Sequence, residues 1–199
     1  MLTEYSTYDE MRKFRDKAVL RSWEIMREEH TQRLLKLKKI EWSLRNPDLR
    51  HPVEKRFETD GQKVEFLIYP KENEDGAIDP LSFNTSLSVS IQTRKGVSVF
   101  QLHPKIICVL TPHYISRSKD RLIYLNGVQQ SERHPYMRNG RQYELLTVGD
   151  NVLVCRRPEP DILIYITHLT KDMCQSRNFQ GIFAQAGKDI DEHDIYVWK

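Results

Sequence analysis

The chain has 199 residues, of which 39% are hydrophobic and 30% charged, and its net charge is +3. That length fits one domain plus an appendage, and that balance excludes a disordered chain. So mild a charge excludes any nucleic-acid argument from net charge alone, leaving only local clusters to carry one.

Residues 1–5 lack the basic and apolar regions of a secretory leader, so none is expected. Residues 8–45 read as one long helix. Thr7 and Glu10 have the spacing of a capping box, and Asp9 and Glu10 suit the positive helix N-terminus. Phe14, Val19, Trp23, Met26, Leu34, Leu37, Ile40 and Leu44 recur near helical spacing, while Leu20, Ile25, Leu35 and Trp42 lie off that stripe. Asn46-Pro47 stops the helix. At ~1.5 Å per residue such a helix outruns a domain of this size. It either breaks, with residues 28–31 the expected place, or projects toward a partner. Trp23, Leu34, Leu37 and Trp42 are the candidate partner-binding residues, for another protein or a second copy.

Residues 46–63 read as a connector. Between Arg33 and Phe57 eight basic residues, Lys36, Lys38 and Lys39 among them, face three acidic ones. Residues 64–69 form the first expected strand, and 71–80 an exposed loop. Leu87, Val89 and Ile91 alternate with serines, and residues 97–102 return with the same alternation, which predicts a hairpin. Residues 106–110 read as a buried strand. Residues 121–125 read as another, ending at a turn signal, Asn126-Gly127. Residues 131–141 read as a basic loop. Residues 143–148 and 152–155 make a second hairpin around Gly149-Asp150-Asn151, and the apolar run 162–166 predicts a strand buried on both faces. In the remainder, Phe179, Ile182 and Phe183 can cover the sheet, and residues 195–198 can add an edge strand.

The expected class is therefore α+β: a long N-terminal helix, an antiparallel β-sandwich of about eight strands, and a C-terminal covering segment. The expected divisions are an arm and connector over 1–60, the sandwich over 61–170, and the covering segment over 171–199. No stretch nears the ~20 apolar residues of a membrane helix. Cys108, Cys155 and Cys174 form no close pair, which fits a reducing, intracellular setting, cytoplasmic or nuclear.

No histidine pair has metal-ligand spacing, and no nucleophile elbow, phosphate loop or dinucleotide fingerprint occurs, so no metal, cofactor or catalytic residue is expected. A second basic cluster runs from Arg117 to Arg157. Arg117, Lys119, Arg133, Arg138 and Arg141 suit phosphate, and Tyr136 can stack on a base. The first reading is a non-catalytic interaction or scaffold protein. The alternatives are RNA or DNA binding through residues 33–56 and 117–157, and a viral capsid or matrix protein.

Overall fold

The computed structural model describes residues 1–39, 53–72, 78–118, 132–173 and 179–193. Its elements in chain order are α1 (Tyr8–Lys39), β1 (Val53–Thr59), β2 (Gln62–Glu72), β3 (Ile78–Thr93), β4 (Gly96–Leu102), β5 (Ile107–Leu110), α2 (Pro112–Ser118), β6 (Glu132–Arg138), β7 (Arg141–Val148), β8 (Asn151–Glu159), β9 (Ile162–Thr170), a 3-10 turn (Lys171–Met173) and α3 (Phe179–His193).

The α+β class holds. The antiparallel sandwich holds only in part. Hydrogen bonding runs unbroken through nine strands in the order β1-β2-β3-β4-β5-β9-β8-β7-β6, so they form one sheet. Two antiparallel meanders, β1–β5 and β6–β9, meet at a parallel pair in which Val109 lies opposite Ile164. Both strands of that pair are apolar on both faces, so each needs a neighbour on both sides. Residues 162–169 are all buried, as expected for a central strand.

One face carries the larger core. Met11, Phe14 and Ala18 of α1 and Ile182, Ala186 and Ile190 of α3 pack there against inward residues such as Phe66, Val89, Phe100, Val109 and Ile164. The opposite face carries a smaller cluster, in which Tyr114 of α2 covers Cys108, Leu153, Cys155, Leu163 and Tyr165. Leu87, Val89 and Ile91 are buried as the alternation predicts.

Several local expectations are corrected. The connector contains a strand, β1, because Val53, Lys55 and Phe57 alternate inward and Asp60-Gly61 closes a two-residue hairpin, with φ of 49° and 75°. The basic loop at 131–141 is instead β6 and a second such hairpin, closed by Asn139-Gly140 at φ 51° and 73°. Pro135 is tolerated there because β6 is an edge strand, where a missing amide hydrogen leaves no gap in the sheet. Helix α1 does not break at 28–31. Thr31 bonds back to the Arg27 carbonyl (2.9 Å), and Glu29 pairs with both Arg33 (3.3 Å) and Lys55 (3.4 Å) across that span. The strand expected at 121–125, its Asn126-Gly127 turn and the edge strand at 195–198 lie outside the described residues.

Candidate functional site

Helix α1 starts on the predicted capping box. The Thr7 amide donates to Glu10 Oε2 (2.7 Å), and the Glu10 amide donates to Thr7 Oγ1 (3.3 Å). Met11, Phe14, Ala18, Ser22 and Ile25 follow at three- and four-residue steps and face the sheet. Two polar ties fix the helix along the sheet. Arg12 grips Asp161 at the β8–β9 turn through Nε (3.0 Å) and Nη2 (2.7 Å), joined there by Arg15 (3.1 Å). Lys17 reaches Asp60 at the β1–β2 turn (2.8 Å).

The opposite side of α1 has no cover among the described residues. Leu20 is 60% exposed and Trp23 53% exposed, one helical turn apart. Exposed Asp16 and Arg27 extend the same row, so 16, 20, 23 and 27 repeat at four-three-four spacing. Trp23 thus lies on the outer surface, as its assignment to partner binding requires, and Leu20 belongs beside it although it lies off the stripe read from sequence. Leu34 is half-buried. Leu37, Lys36, Lys38 and Lys39 fall within α1, and Trp42 and Lys119 lie outside the described residues.

The second basic cluster is divided by the sheet. Arg133 and Arg141 are exposed on β6 and β7. Arg138 instead clamps Asp191 of α3 through Nε (3.2 Å) and Nη2 (2.5 Å). Tyr136 stacks on Phe183 (centroids 5.2 Å apart, planes at 10°) and donates to its carbonyl (3.3 Å). Both side chains dock α3 on β6. The ring face of Tyr136 is therefore already used. Arg117 is half-buried in the last turn of α2.

A polar cluster that sequence reading missed lies where α2, β9 and α3 meet. A β-bulge creates it: Val154 lies opposite Thr167 and Cys155 opposite Tyr165, so Ile166 is an extra residue. Past the bulge, Thr167 turns toward α3 and His168 toward α2. Thr167 donates to Asp189 Oδ2 (2.7 Å), Gln185 donates to Asp189 Oδ1 (3.0 Å), and His113 Nε2 lies 3.4 Å from Asp189 Oδ2. Burial alone would raise the Asp189 carboxyl, but its bonds to His113, Thr167 and Gln185 outweigh it and hold the group below the usual range. The His113 ring stacks on His193 (3.5 Å, 13°). Burial, then the neighbouring His113, lowers the His193 pKa.

On the other side, His168 is fully buried between Ser118 Oγ (Nδ1, 3.2 Å) and Asn151 Oδ1 (Nε2, 3.0 Å). Both ring nitrogens are satisfied, and the arrangement pins the end of α2 to the sheet. One signal for Asp189 was present in the sequence. The buried stripe of α3 runs Ile182, Ala186, Asp189, Ile190, and a carboxylate on an apolar stripe calls for a partner.

Cys108 and Cys155 are free and buried; burial pushes the Cys108 thiol up to about 11 and the Cys155 thiol well above its ordinary value. Neither is a thiolate at neutral pH. Among the described residues no group of histidine, cysteine and carboxylate side chains has metal-site geometry, and no helix is long and apolar enough to cross a membrane. Comparison with protein-family models, with curated proteins and with solved structures found no match.

Proposed function

We propose that the protein is a non-catalytic interaction module that pairs with a second copy of itself through the outer face of α1. The observation that carries this reading is the row Asp16, Leu20, Trp23, Arg27, exposed on the side of α1 that faces away from the sheet. The row is self-complementary. In an antiparallel pair crossing between Arg21 and Ser22, Leu20 of each copy meets Trp23 of the other, and Asp16 meets Arg27. A two-fold interface requires this property, since each contact must occur twice with the roles exchanged. Apolar anchors at the centre with opposite charges at the rim give affinity and register respectively. The ties from Arg12 and Lys17 hold the helix on its domain, so the row is presented on a fixed support. The reduced, buried thiols support an intracellular setting.

The test is the concentration dependence of mass by sedimentation equilibrium. Wild type should move from monomer to dimer as concentration rises. Leu20→Asp with Trp23→Asp should stay monomeric and melt close to wild type measured at concentrations where wild type is monomeric, because both residues are exposed. Asp16→Arg should weaken the dimer, and adding Arg27→Asp should restore it. A wild-type chain that remains monomeric at its highest soluble concentration would end this reading.

A further inference from the structure

A buried carboxylate is unfavourable unless donors surround it, and Asp189, only 3% exposed, has three. Thr167 and Gln185 approach it from within the fold. The third donor, His113, is different: its side chain keeps 18% of its surface exposed, and so it links the buried charge to solvent. The ring lies flat against His193, which is itself partly exposed.

Two permanent cations, Arg117 and Lys95, belong to the neighbouring elements. Arg117 lies one helical turn beyond His113, so the two share a face of α2. The β3–β4 turn carrying Lys95 is pressed against the start of α2, where a Cβ placed on Gly96 would lie 3.3 Å from Pro112. Lys95 is the least of the charges that hold the His193 pKa down. Among the described residues the exposed carboxylate beside the rings is Glu192, 3.5 Å from His193, while Asp189 is buried.

We propose that His113, positioned by Asp189, forms with His193, Arg117 and Lys95 a binding site for the phosphate group of a ligand. Protonated His113 donates through Nε2 to Asp189 and leaves Nδ1–H for a phosphate oxygen, a charge-assisted bond. Arg117 contributes the paired N–H groups that suit a phosphate. The stacked rings add a linkage. His113, stacked 3.5 Å away, disfavours a charge on His193, and an anion seated against the two rings offsets that cost. Binding of phosphate in a given ionisation state should therefore favour the charged form of His193 and strengthen as pH falls.

The experiment follows the histidine ring resonances of the full chain by NMR, at fixed ionic strength, between pH 8 and pH 6. One arm adds inorganic phosphate and the other phenyl phosphate, so that a free anion and a phosphate ester are told apart. His113 and His193 should shift in at least one arm, with half-saturation falling as pH falls. Arg117→Gln, on a half-exposed side chain, should weaken binding roughly tenfold, the worth of a charged hydrogen bond. His113→Gln should abolish it. No shift beyond that caused by chloride at equal ionic strength overturns the proposal. So does binding that Arg117→Gln leaves unchanged, or a dianion affinity, corrected for the probe's own titration, that does not vary with pH.

Discussion

Ile164 is fully buried and lies directly opposite Val109 across the parallel pair. Ile164→Ala should therefore cost about 2–5 kcal/mol, because the surrounding strands close only partly over the missing carbons. Ser88 faces the other way on its strand and is half-exposed, so Ser88→Ala should change stability by no more than about 0.5 kcal/mol. Denaturant melts with equal slopes compare the two. A wild-type midpoint for Ile164→Ala would show that β9 is not the central strand.

A second residue controls the response to acid. The Arg12 guanidinium holds the Asp161 carboxyl at about 2, against roughly 3.9 in an unfolded chain. The folded state thus binds that proton less readily. The pairing stabilises the protein above about pH 4 and is lost as pH falls toward 2. Asp161→Asn should make the melting temperature less steep in pH over that window. The change should be modest, because the group is a quarter exposed and the pair is screened. An unaltered slope would mean that Arg12 does not anchor α1 there. Ile164 could be anticipated without long-range information, because its apolar neighbours give it away. Asp161 was invisible from sequence, because its partner is 149 residues distant.

At the scale of elements, Gly187 of α3 sits tight against two side chains of β6. A Cβ built on Gly187 would lie 2.9 Å from the Tyr136 hydroxyl and 3.3 Å from Arg138 Cζ. Alanine is the better helix former by roughly 1 kcal/mol, so propensity alone predicts that Gly187→Ala stabilises. The contact predicts the reverse. Tyr136 is fixed by its stack on Phe183, and Arg138 by Asp191, so neither yields freely. Thermal melts decide the sign: a raised midpoint would show that α3 is not held at this distance.

The missed elements share a cause. Edge strands β1 and β6 bury one thin stripe each and leave Glu54, Arg56, Glu132 and Arg133 exposed, so their composition resembles a loop. Asp60-Gly61 and Asn139-Gly140 nevertheless marked both hairpins in plain sequence, since only such residues readily take positive φ at both turn positions. The cluster at Asp189 was less legible. It depends on the bulge at Ile166, and an alternating pattern read without that extra residue puts Thr167 and His168 on the wrong faces.

For the whole molecule, composition and periodicity were enough to establish the class and the central strand, but not how the strands join. The parallel pair connects segments separated, among the described residues, by a helix and three strands, and no local pattern states that β5 accepts β9 rather than β6. That join has a consequence in time. During synthesis the first meander is complete once Leu110 has emerged, with β5 as its open margin. Its proper neighbour, β9, begins roughly 50 residues later. At about 5–20 residues per second, the margin of Ile107–Leu110 waits on the order of 3–10 s for its partner. For that interval an apolar strand edge lies open to any nascent chain nearby, so the fate of this protein on the ribosome depends on how quickly its second half follows its first.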